Sequence, residues 1–213
     1  MGSVLKPILL SLVYLVAVIL AGFLAGSFTY LLTGSIVTAG MATQAVFTAI
    51  PIATITLLHQ NLADYGFKSA NRKILLSIPI SLIFSFPLAI VSMYLSENYT
   101  PPIALEDIRI MLLLAIVVSP IGEEVLFRGF IEGYLLKHTD RWIAIAMPAL
   151  LFSAMHIVPY ISAPLPALLL TLLGAFILGM LAGYYRAVYG SLIPAVIVHS
   201  VFNLSGIVVW LCL

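Results

Sequence analysis

The sequence predicts an all-α fold, a polytopic membrane helix bundle of about seven transmembrane helices. Two observations carry this. Of 213 residues, 63% are hydrophobic and only 8% are charged, too few polar groups to cover a water-facing surface. The apolar residues also fall in runs close to the ~20 residues that cross a bilayer, separated by short polar breaks. The net charge of +1 comes with no basic cluster, so a nucleic-acid partner is excluded.

Taken in order, the spans fall at about 7–32, 36–58, 74–95, 109–128, 142–158, 165–186 and 190–212. Lys6 followed by an apolar run resembles a signal peptide, but the run from Ile8 to Leu32 is long enough to span and reads as a retained first helix. The second span ends at HQNLADYGFKSANRK (59–73), the third at SENYTPPIALED (96–107), and the fourth before the charged stretch 132–141. The fifth is short and ends at Pro159. The following PYISAPLP reads as running along the membrane surface, and an eighth short or re-entrant segment is left open. The whole chain, 1–213, is read as one transmembrane domain.

Basic residues set the expected orientation, because they concentrate on the cytosolic side. With seven spans, Lys6, Lys68, Arg72, Lys73, Lys137, Arg141 and Arg186 all fall on one side. The other side holds Glu97, Glu106 and Asp107, with Arg109 as its one positive residue. The expectation is a multi-pass cell-membrane protein with a cytosolic N-terminus and an external C-terminus. Gly22 and Gly26, Gly129 and Gly133, and Gly179 and Gly183 recur four apart, a spacing that lets helices pack closely in lipid. Pro120 and Gly122 are expected to loosen the fourth span. The single cysteine, Cys212, excludes a disulfide within the chain.

Chemistry concentrates in SPIGEEVLFRGF. Ionised groups at membrane depth are costly unless paired or facing a polar cavity, and Glu123, Glu124 and Arg128 lie within six residues. Glu124 and Arg128 are i, i+4 with the acid first, so they share a face and pair. Glu123 points about 100° away and is expected to be the unpaired carboxylate. His156, with Phe152 one turn before it, and His199, with Asn203 one turn after it, lie in later spans. At 1.5 Å per residue, Glu123 is roughly 20 Å from Lys137, His156 about 22 Å from Arg141 and His199 about 13 Å from Gly190, which places all three near mid-membrane. The two glutamates and the arginine leave one negative charge. A proton on Glu123, a protonated histidine or a bound metal would each neutralise it, and each is a route to an activated water.

EEVLFR (123–128), FSAMH (152–156) and HSVFN (199–203) form the ordered set EExxxR, FxxxH and HxxxN. On these motifs the chain resembles the CAAX-processing and bacteriocin-processing family of intramembrane proteases, which includes the type II CAAX prenyl endopeptidases. The resemblance covers roughly 109–213. It implies that Glu123, assisted by His156, activates water, that His199 and Asn203 stabilise the oxyanion, and that Glu124, Arg128 and Phe152 support the site. It leaves open a zinc ion, for which Glu123, His156 and His199 are suitable ligands. It implies a peptide or protein substrate, prenylated or membrane-bound, cut near the cytosolic side. Two other classes compete: a non-catalytic immunity or scaffold protein of the same family, and a proton-coupled transporter, which would need repeated halves that the sequence lacks.

Overall fold

The computed structural model describes residues 4–95 and 107–212. Within them, seven long apolar helices are the candidate spans: α1 (Leu5–Thr33), α2 (Ile36–Leu57), α3 (Arg72–Leu95), α4 (Ile108–Leu136), α5 (Arg141–Tyr160), α6 (Leu165–Tyr189) and α7 (Ile193–Cys212). No strand occurs among the described residues. Glu97 and Glu106, used above for orientation, lie outside the described residues.

Local chemistry sets the helix ends. Gly34 (φ 69°) closes α1 and Gly190 (φ 63°) closes α6, in the left-handed conformation that glycine adopts without penalty. Ser35 caps α2 by accepting the Thr38 N–H at 3.2 Å. Asp140 caps α5 by accepting from Trp142 and Ile143. Asp107 caps α4 and pairs with Arg109 at 2.9 Å. The guanidinium holds the Asp107 carboxyl below its usual range, and the one basic residue of that side is neutralised on the spot.

The helices pack through small residues. A Cβ at Gly22 would lie 2.6 Å from the Phe47 ring, so α1 and α2 touch along that face. A Cβ at Gly179 would lie 2.8 Å from Ala149, which brings α6 onto α5. Helices α3, α6 and α7 pack on one another. α4 is the central element: half of its most apolar window is buried, against 22–28% for the other six.

α4 is longer than its sequence pattern suggested. It runs to Leu136 rather than ending near Arg128, because Glu132, read as the start of a polar break, is completely buried between helices. It is also irregular. Leu114–Val118 and Val125–Ile131 are π-helical turns on either side of the glutamates, a distortion often found at functional sites. The first follows from local chemistry. Ser119 gives its N–H to Leu114 instead of Ala115, and Pro120 has no N–H to offer in the next register. The Ala115 carbonyl is instead met by Asn203 Nδ2 at 2.7 Å, and the neighbouring Ile116 carbonyl by Ser200 Oγ at 2.8 Å. Two side chains of α7 thus key into the distorted turn of α4.

The segment between α2 and α3 folds back under the bundle. Leu192 N–H reaches Gly66 O at 2.9 Å, Ser191 Oγ reaches Lys68 O at 2.7 Å, and Arg186 Nη2 reaches Asp64 O at 2.7 Å. This closes the end of the molecule that carries the basic residues.

Candidate active site

The acidic pair divides its contacts as its angular spacing requires. Glu124, fully buried, accepts from Arg128 Nη1 at 3.0 Å and from His199 Nδ1 at 2.8 Å through the same oxygen, Oε1. Glu123, 8% exposed, turns toward α2 and accepts from Gln44 Nε2 at 2.8 Å. Its second oxygen, Oε2, lies 3.8 Å from His199 Nε2. His199 therefore stands between the two carboxylates, one on each ring nitrogen. Because a carboxylate only accepts, Nδ1 of His199 carries a proton, and Nε2 is the atom that faces Glu123.

Phe152 is the hub beneath these groups. Its ring lies 5.5 Å from the His199 ring, 4.7 Å from the His156 ring and 4.7 Å from the Arg128 guanidinium. His156 sits where the regular part of α5 ends at Met155. Its Nδ1 is 2.8 Å from the Phe152 carbonyl; since the carbonyl only accepts, the proton is on Nδ1 and Nε2 is left as an acceptor. Asn203 is engaged with α4 through the Ala115 carbonyl. The structure thus brings Glu123, Glu124, Arg128 and His199 together. His156 lies beside them on Phe152 without a hydrogen bond to Glu123, and one amide hydrogen of Asn203 is committed to the backbone.

Two expectations change. Glu123, read as the unpaired carboxylate, has a dedicated partner in Gln44. Sequence reasoning passed over that residue because it lies two spans upstream of the first motif; its signal was a lone amide within GMATQAVFTA. The charge balance also involves more groups than three. Glu132 is one turn beyond Arg128 and makes no hydrogen bond within the described residues. It feels the positive charges of Arg186 and Arg128. Arg186, buried, donates from Nε to the Arg128 carbonyl at 3.1 Å. Counted in their ionised forms, three carboxylates and two guanidiniums leave one negative charge, and a neutral Glu132, whose two oxygens are buried without a partner, removes it.

The zinc expectation is tested by the donor arrangement. Among the described residues, no three His, Cys, Asp or Glu side chains are grouped so as to hold a metal ion. Glu123 Oε2 lies 3.8 Å from His199 Nε2, and His156 is engaged through Nδ1 with the Phe152 carbonyl.

A cleft of about 210 Å³ opens beside this cluster, with His156, His199 and Asn203 in its wall. A helical membrane bundle with buried, mutually bonded carboxylates and a histidine next to a cleft defines a membrane protein with a candidate intramembrane active site. Residues 106–205 match the family model described as type II CAAX prenyl endopeptidase Rce1-like. That Rce1-like stretch of the chain holds all three motifs, EEVLFR, FSAMH and HSVFN. No match was found among curated proteins or among solved structures.

Proposed function

We propose that the protein is an intramembrane endopeptidase in which Glu123 activates the hydrolytic water. The observation that carries this reading is Glu123 Oε2. Its sister oxygen is held by Gln44, and Oε2 is turned toward His199 Nε2 at 3.8 Å. That separation is too long for a direct hydrogen bond, but a water lying off the line can touch both atoms.

The steps follow from the donor and acceptor inventory. Glu123 takes a proton from the water as oxygen attacks the peptide carbonyl, and returns it to the leaving amine. The oxyanion needs a donor aimed at it. His199 can serve only through Nε2 and only when doubly protonated, because its other proton is committed to Glu124. His156 and Asn203 line the same cleft, where their side chains can bind the substrate backbone. Arg128 and Glu124 hold the His199 ring in its tautomer and orientation. No step is assigned to zinc, since the donors do not converge on one point.

The test is cleavage of a panel of quenched peptides, prenylated and unprenylated, by protein purified in detergent, with and without chelator. Glu123→Gln and His199→Ala should each lose at least about 100-fold in rate, the scale of a removed general base or oxyanion donor. Chelator should leave the wild type unchanged. Full activity in Glu123→Gln would refute the mechanism. No cleavage of any peptide by the wild type would favour a non-catalytic immunity or scaffold role.

A further inference from the structure

The two ends of the bundle are not equivalent around the site. Toward the basic end, every layer beyond Arg128 is closed. Glu132, Leu135 and Ser191 are completely buried, Arg186 is 4% exposed, and the segment around Gly66 is pinned across them by the bonds to Arg186, Ser191 and Leu192. Toward the other end, the four walls of the cleft open together. Along α7 the residues pass from buried His199 through half-buried Asn203 to exposed Gly206, and along α3 from buried Ser85 to half-buried Ser92. α5 passes from buried Phe152 to half-buried His156 and Tyr160, and α6, read backwards, from buried Leu178 to half-buried Leu170. All four directions lead away from Lys73, Arg141 and Arg186. The lining is mixed, with small side chains and glycines between polar groups, which suits an extended backbone with side chains of modest size.

We infer that the scissile peptide reaches the site from the end of the bundle opposite the basic loops. This rests on the endopeptidase reading above and narrows its substrate class. The substrate is an extended peptide segment lying in the half of the bilayer away from the basic loops. With basic loops in the cytosol, that is the external half, and a tail presented at the cytosolic surface meets the closed end instead. On this inference the cut falls in an exported or externally anchored chain, on the side opposite the cytosolic cleavage expected from the sequence.

Gly206 offers the probe, because a Cβ there meets nothing within 4 Å. In a Cys212→Ser background, Gly206→Cys is compared with two exposed reference sites, Lys73→Cys at the basic end and Ser162→Cys at the other. A membrane-impermeant maleimide is applied to either side of sealed proteoliposomes of defined orientation. The expected result is that Gly206→Cys reacts only from the side that labels Ser162→Cys. Labelling from the Lys73→Cys side, or from neither side while both references react, overturns the inference. Labelling does not require proteolysis, so a protein that labels as expected yet cleaves nothing refutes the endopeptidase reading, not the geometry. Where cleavage is measurable, the maleimide adduct at position 206 should lower the rate at least tenfold and the adduct at position 73 should not. An unchanged rate in the position-206 adduct overturns the route.

Discussion

Gln44→Leu removes the one side chain that holds Glu123 while keeping the volume of the site nearly constant. The Gln44 amide donates to Glu123 Oε1 at 2.8 Å in a region where Gln44 itself is 7% exposed. A hydrogen bond to a charged group contributes about 1.5–3 kcal/mol, and each 1.36 kcal/mol of barrier is a factor of ten. If that energy is what holds the carboxylate in its reactive orientation and the carboxylate rotates away without it, the turnover rate falls about 10- to 150-fold. The close approach has a structural requirement of its own: a Cβ at Gly122 would lie 2.8 Å from the Gln44 backbone oxygen and within contact distance of its Oε1. The assay is the initial rate on a cleaved quenched peptide, with thermal unfolding in detergent measured on the same preparations. Loss of rate with little change in KM and an unfolding temperature near wild type would establish Gln44 as a positioning residue. A rate within twofold of wild type would show that Glu123 is oriented by something else, and the division of its two oxygens between Gln44 and water would be wrong.

Other substitutions separate support from chemistry. Arg128→Met leaves Glu124 and the His199 ring without their buried cation and should cost about 3–5 kcal/mol, read as a loss of folded protein on denaturant titration. Gly183→Ala puts a Cβ 2.8 Å from Glu132 Oε2 and should destabilise by about 1–3 kcal/mol through overpacking, whereas Gly206→Ala should stay within about 0.5 kcal/mol of wild type. Asn203→Ala strands the Ala115 carbonyl and should destabilise by about 1–3 kcal/mol; a large loss of rate at unchanged stability would instead favour the oxyanion role.

The spans were legible because lipid imposes one simple requirement, a sustained apolar run, and each of the seven runs has one. The motif residues were legible because Glu123, Glu124, Arg128, His156 and His199 are out of place in such runs. What the sequence did not reveal depends on distant pairing. Glu132 looked like the edge of a polar break because nothing local says that Arg186, 54 positions later by count, is buried near it. Gln44 looked like an ordinary helix residue because its partner is on another span. The distortion of α4 was half visible: Pro120 announced a missing donor, but the side chains that supply the substitute, Ser200 and Asn203, come from α7.

The two wide turns of α4 also act as angular spacers. Each holds a residue more than a regular turn would, and between and beyond them Glu123 faces α2, Glu124 faces α7 and Glu132 lies against α6. Deleting a residue from a regular stretch of α4 would rotate everything beyond it by about 100°. Glu123 would leave Gln44, or Glu132 would leave its pocket beside α6, while composition and hydropathy stayed almost unchanged. This helix can therefore absorb a change of side chain at many positions more easily than a change of length at one.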